Sequence, residues 1–259
     1  MPNLSVAQYD IVYNMFSFTF ATMFAAFIFF ILVRPQLAPQ YRGAMIMSAL
    51  VVAVAGYHYF RIFESWNAAY TLSGDVYVAS GKPFNDAYRY IDWLLTVPLL
   101  VAELIFVINP RNRGRLIFTL ATAAALMIIL GYPGEIAEDT GTRALWGFIS
   151  SIPFVYIVYV LFSGLGTAMQ EQTPQVRVLI RNTRLLLLAT WGFYPIVYML
   201  PILGVSGAAA VVAVQVGYCI ADVAAKAGYG LMIYAIANEK SKAAGWQYDT
   251  AQAAPAVSN

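Results

Sequence analysis

The chain has 259 residues, of which 61% are hydrophobic and only 11% charged, with a formal net charge of +2. A soluble domain carries about 25% charged residues, so this chain lacks the polar surface to face water, and lipid must be the solvent for most of it. The near-neutral balance, with no basic run interleaved with aromatics, also argues against a nucleic-acid partner.

A membrane-spanning helix needs about 20 mostly apolar residues, and stretches of that length follow one another along the chain. The first covers 9–33; no basic segment precedes it, so no cleaved secretory signal is expected. After a breaker-rich connection at 35–40 comes the second, 41–66, which holds His58, the only histidine. Residues 71–83 break the pattern: Ser73, Gly74 and Asp75 lead into alternating Val76, Tyr77 and Val78, which predicts a small β-hairpin. The third span is 84–108, the fourth 114–132 and the fifth 144–168. The sixth is 178–203, and the seventh is 208–238, with Cys219, the single cysteine, buried inside it. The expected fold is therefore an all-α membrane protein of seven transmembrane helices over 1–239, followed by a short polar tail, 240–259, expected to be disordered.

Lys and Arg placement sets the orientation. Arg34 and Arg42, then Arg111, Arg113 and Arg115, then Arg177, Arg181 and Arg184, and finally Lys240 and Lys242 fall at alternate connections. The opposite connections hold Asp75, Asp86, Glu135, Glu138 and Asp139 and little basic charge. The basic side is expected to be cytoplasmic, with the N-terminus outside and the C-terminus inside, in a multi-pass protein of the cell membrane.

Ionisable groups at membrane depth are costly, and each is a functional candidate. Six fall inside the spans: His58 on the second, Arg89, Asp92 and Glu103 on the third, Asp222 and Lys226 on the seventh. Asp222 and Lys226, four apart, share a helix face. Arg89, Asp92 and Thr96 share another, and Glu103 returns to nearly the same azimuth about 16 Å further along the axis. This stripe of arginine, carboxylate, hydroxyl and remote carboxylate describes a vertical proton path. His58 lies roughly 10 Å below the outer end of its helix, at about the depth of Asp92, within reach of a hydrogen bond to it. Any one of these groups is compatible with a plain structural ion pair; their joint spacing and depth point to function.

These residues, in this order and over essentially the whole chain, resemble the microbial rhodopsins, and within them the xanthorhodopsin and proteorhodopsin proton-pumping groups. Arg89-Tyr90-Ile91-Asp92-Trp93-Leu94-Leu95-Thr96 resembles the family's counter-ion helix, and Asp222-Val223-Ala224-Ala225-Lys226 its retinal-bearing segment. Trp191-Gly192-Phe193-Tyr194-Pro195 with Tyr198 resembles the aromatic clamp around the polyene, and Tyr57-His58-Tyr59-Phe60-Arg61 looks like the xanthorhodopsin second helix.

The resemblance implies a light-driven outward proton pump and not an enzyme. Lys226 would carry all-trans retinal as a Schiff base, with Asp92 and Asp222 as counter-ions. Asp92 would also accept the proton, with His58 as its partner, and Glu103 would donate from the cytoplasmic side. The family pocket falls on Tyr59, Trp93, Leu100, Met127, Gly131, Trp146, Ser150, Phe154, Trp191, Tyr194, Pro195 and Tyr198, with Leu100 implying green absorption. Gly147 stands where xanthorhodopsin-like proteins open a window to the retinal ring, against which a carotenoid (xanthophyll) antenna can lie; close helix packing is the other reading of a glycine there. Relatives also imply a homo-oligomer, trimer or pentamer. No carboxylate occurs between Tyr194 and Gly217, so the paired-glutamate release group of bacteriorhodopsin-type relatives is absent. Chloride and sodium pumps on this scaffold are disfavoured by Asp92 and Thr96. A photosensor signalling to a partner protein remains the alternative, against which the internal donor Glu103 argues.

Overall fold

The computed structural model describes residues 1–248. Seven long helices follow one another: α1 (Val6–Val33), α2 (Arg42–Ala69), α3 (Tyr88–Ile108), α4 (Arg113–Glu135), α5 (Thr140–Tyr159), α6 (Pro174–Met199) and α7, which begins as Ala208–Asp222. α5 continues through a π-helical Val160–Gly164 into a last turn, Gly166–Gln170. α7 likewise passes through a π-helical Val223–Gly228 and resumes as Tyr229–Ala243. Successive helices pack side by side, and α7 closes the ring against α1 while also touching α2 and α3.

Local chemistry explains the boundaries. Ser5 and Gln8 form a reciprocal capping box at the start of α1, each side chain taking the other's backbone N–H. Asp139 caps α5 by accepting from Thr142 N at 2.7 Å, and Thr173 followed by Pro174 opens α6. Asn109, in the left-handed region at φ 58°, stops α3. The third helix starts at Tyr88 rather than at 84, because Asn85 spends its side-chain oxygen on Ala87 N in a local turn. α4 runs one turn past the expected stop at 132; Pro133 withholds only its own missing N–H.

Among the described residues, six helical stretches are long and apolar enough to cross a membrane. α6 falls short on apolarity because Arg177, Arg181 and Arg184 occupy its first half. The outward faces carry large apolar side chains, such as Leu32 at 67% exposure and Phe148 at 70%. In water such a surface would be a liability; against lipid it is the correct solvent contact.

The expected hairpin forms as β2 (Tyr70–Ser73) and β3 (Val76–Ala79), turning at Gly74. It gains a third strand, β1 (Leu4–Ser5), which pairs antiparallel with β3 in the register Leu4↔Tyr77. Tyr9 stacks on Tyr77 at 3.7 Å and donates to Asn67 Oδ1 at 2.6 Å, so the sheet, α1 and α2 close this end of the bundle together. At the opposite end, α7 extends into the expected tail as far as Ala243, and the remainder of that tail from 249 to 259 lies outside the described residues.

Candidate functional site

Lys226 lies inside the π-helical turn of α7 and is 2% exposed. A π-turn shifts side chains off the ordinary helical azimuth, a device concentrated at functional sites. The ammonium Nζ is 2.6 Å from Asp222 Oδ1 and 3.0 Å from Asp92 Oδ2, so one cation bridges α7 and α3 between two carboxylates. The carboxylates differ in their other partners. Asp222 also accepts from Tyr59 OH at 2.7 Å and from the Tyr194 hydroxyl. Asp92 has nothing further: the Lys226 approach is an ion pair off the line of a good hydrogen bond, and Oδ1 has no partner among the described residues.

The rest of the expected polar stripe divides. Arg89 turns away from Asp92, pairing with Asp86 and donating to Gln215 Oε1 at 2.6 Å, with its guanidinium 4.7 Å from the Tyr218 ring centre. The Thr96 hydroxyl bonds the backbone oxygen of Asp92 at 2.8 Å and not its carboxylate. His58 Nδ1 is engaged with Val54 O at 2.9 Å, which leaves only Nε2 for any bond to Asp92; none forms in this structure. Glu103 is completely buried near the other end of α3. Its Oε2 accepts from Ser48 Oγ at 2.5 Å and its Oε1 has no partner among the described residues. Tyr229 OH donates to Leu100 O at 3.0 Å, in the layer of α3 between Glu103 and the Lys226 cluster.

An internal cavity has Lys226 and Asp222 in its wall. Of the expected pocket residues, Trp93, Leu100, Met127, Gly131, Gly147, Ser150, Phe154, Trp191, Tyr194, Pro195 and Tyr198 line it. Two do not. Tyr59 works at Asp222 instead, and Trp146 packs its Cβ against Gly134, where an added methyl would come within 2.9 Å. Sequence reasoning missed Tyr90, Val97, Ile128, Ser151, Tyr218 and Ala225 on the cavity wall, and Ser48 and Gln215 as polar partners. Helical spacing held part of the signal: Val97 is four after Trp93, and Tyr218 four before Asp222.

A buried lysine held by two carboxylates on the wall of an aromatic cavity, inside a seven-helix membrane bundle, defines the class of site: a single buried amine facing an apolar chamber. The particular family is fixed by comparison. The bacteriorhodopsin-like protein family matches residues 11–240, and the chain belongs to that family, the microbial rhodopsins. Among solved structures it is similar to "Xanthorhodopsin, a Light-Driven Ion Pump with Dual Chromophore", at 57% identity and TM-score 0.92, over 95% of this chain and 100% of that one. A thermophilic rhodopsin is similar at 52% identity and TM-score 0.91, with the same coverage of both chains. A green-light absorbing proteorhodopsin from Gamma-proteobacterium EBAC31A08 is 28% identical over 226 residues, 85% of this chain and 84% of the relative.

Proposed function

We propose that this protein is a light-driven outward proton pump that holds retinal on Lys226. The observation that carries the reading is the unequal pair of carboxylates around a sealed lysine: 2.6 Å to Asp222 and 3.0 Å to Asp92. The residues present fit retinal. The cavity is walled by Trp93, Trp191, Tyr194 and Met127, and Gly131 keeps one side thin, since a Cβ there would sit 3.3 Å from Ser150 Oγ. When bound to the lysine nitrogen, retinal supplies visible absorption and a light-driven change of shape that reorients that nitrogen.

The chain's own groups do the rest. In the dark, Asp92 and Asp222 hold a proton on Lys226 Nζ by paired attraction in a low-dielectric site. Asp222 is satisfied by two tyrosine hydroxyls, so its negative charge is already stabilised. Asp92 has a bare oxygen and is the better destination for a proton leaving Nζ. Refilling comes from Glu103: an anion there would bury an unpartnered Oε1 at high cost, so the site accommodates the neutral acid, a stored proton. One carboxylate charged and the other neutral at rest gives the pathway its direction. With the Arg-rich connections on the cytoplasmic side, Asp92 lies in the outer half and Glu103 in the inner half, and net movement is outward.

The xanthorhodopsin structure, described as a light-driven ion pump, supports pumping, and the proteorhodopsin relative is described as green-light absorbing. Leu100, on the cavity wall, agrees with green absorption here. A carotenoid antenna belongs to the same proposal. The cavity reaches Gly147 and the exposed Ser151, so its wall meets the lipid face of α5. A Cβ on Gly147 would lie 2.7 Å from Tyr198 Cε1, so any larger residue displaces that ring and closes the opening. Gly147→Trp should abolish excitation transfer from an added carotenoid while pumping continues; transfer that persists removes the window.

Illumination of unbuffered cells making the protein tests the main reading. Reversible acidification of the medium, abolished by an uncoupler, is the expected result. Negligible net flux with an intact pigment would instead support the photosensor.

A further inference from the structure

The pump reading leaves open how a proton on Asp92 reaches the outside, since Asp92 is 1% exposed and the chain between Tyr194 and Gly217 has no carboxylate. A second cavity lies against the first, sharing Tyr90, Trp93 and Tyr218 as a common wall, at the N-terminal end of α3. Its lining includes Asp86, Arg89 and Glu135. Arg89 is 2% exposed, and its Nε and Nη1 have no hydrogen-bond partner among the described residues. A buried guanidinium with unspent donors, facing a cavity, has hydrogen bonds left to give to a new acceptor.

The two carboxylates of this cavity are not equivalent. Glu135 is clamped: Arg143 Nη2 bonds its Oε2 at 2.8 Å, while other nitrogens of the same guanidinium hold Glu135 O and Tyr198 O, each at 3.1 Å. Among the described residues Asp86 has Arg89 as its only ion-pair partner, and its side chain is 38% exposed. It therefore touches the buried arginine on one side and solvent on the other.

We propose that Asp86 is the exit carboxylate of the pump, an assignment that rests on the proton-pump reading above. The protonated Asp92 gives its proton over water to the Asp86 carboxylate, becoming an anion. Asp86, now neutral, loses its hold on Arg89. The guanidinium, protonated throughout, swings toward the Asp92 anion and blocks return. Asp86 then gives the proton to external water and regains both its charge and its arginine. Gln215 marks the pivot, since it keeps one guanidinium nitrogen at 2.6 Å.

The test uses the retinal-loaded protein in lipid nanodiscs, with a soluble pH-indicator dye reporting arrival of the proton in bulk. In Asp86→Asn the dye signal should lag by about tenfold or more, while the early absorbance changes that follow proton loss from Lys226 Nζ keep their wild-type rates. Asp86→Glu should restore prompt release, and Glu135→Gln should leave the timing unchanged. In the dark, the ¹⁵N shift of the Arg89 guanidinium should move in Asp86→Asn, a readout independent of turnover. If the wild type acidifies the medium but Asp86→Asn releases at the wild-type rate, the exit assignment is overturned and the pump reading stands. If the wild type moves no protons, both fall together.

Discussion

Asp92 and Glu103 sit eleven residues apart on one face of α3, and solvent reaches neither of them (1% and 0% exposed). Burial alone would make them equivalent. What separates them is company: Asp92 lies 3.0 Å from a lysine that a second carboxylate also holds, whereas Glu103 has a single serine hydroxyl at 2.5 Å among apolar neighbours. A carboxylate beside a cation is stabilised as an anion; one with only a neutral donor is stabilised as an acid. The two proposed roles on one helix thus rest on neighbours supplied by α7 and α2, and changing those neighbours is the way to break the difference.

The largest effect is expected from removing the cation itself. Lys226→Ala should leave protein supplied with retinal without a visible band, and a retained band that survives hydroxylamine would show that the linkage is elsewhere. Asp92→Asn comes next. Net proton transport should fall by roughly 100-fold or more, the scale contributed by a positioned acid–base group, and the band should move to longer wavelength as the counter-charge is lost. Transport at the wild-type rate would remove Asp92 as acceptor. Glu103→Gln should act on the other end: proton loss from Nζ keeps its rate, while recovery of the dark state slows about tenfold to 100-fold. Unchanged recovery kinetics would rule out the donor role.

Much of this contrast was legible in the sequence, because it depends on residue type and helical spacing. The pairing of Asp222 with Lys226 follows from a four-residue step, and the remoteness of Glu103 from an eleven-residue one. The hydrophobic runs located all seven helices, although α6 needed more than apolarity to qualify, given its three arginines. What the sequence did not reveal depends on inter-helix geometry. Ser48 as partner of Glu103 and Gln215 as partner of Arg89 lie on other helices, at sequence separations of 55 and 126, where no periodicity connects them. The π-turn around Lys226 was equally hidden, since Val223-Ala224-Ala225 is ordinary helical sequence. A three-residue step places Arg89 on the Asp92 face, yet a long side chain near a helix end follows the available charge, here Asp86.

Two smaller changes sharpen the comparison. Ser48→Ala removes the one hydrogen bond to the Glu103 carboxyl among the described residues and leaves both its oxygens unpartnered there, a loss of about 1–3 kcal/mol for a buried acceptor. Its consequence should be a recovery rate changed by a few-fold only, because the neutral acid tolerates an apolar site; a block as deep as that of Glu103→Gln would make Ser48 part of the proton route. Asp139 supplies the water-facing reference. Its exposed carboxyl accepts Thr142 N at 2.7 Å, and those backbone N–H groups hold it below the usual carboxylate range. A depressed folded-state value means the cap's charge-dependent stabilisation is complete above the unfolded carboxylate's range, about 3.9, and is lost as pH falls through the lower folded value. Asp139→Asn keeps the hydrogen-bond acceptor without the charge, so thermal melting should lose a small part of its acid sensitivity below about pH 4 and change little at neutral pH. An identical pH profile in the variant would show that the cap's charge adds nothing once water can screen it. Burial, which magnifies what each neighbour does, would then be what sets Asp92 and Glu103 apart from Asp139.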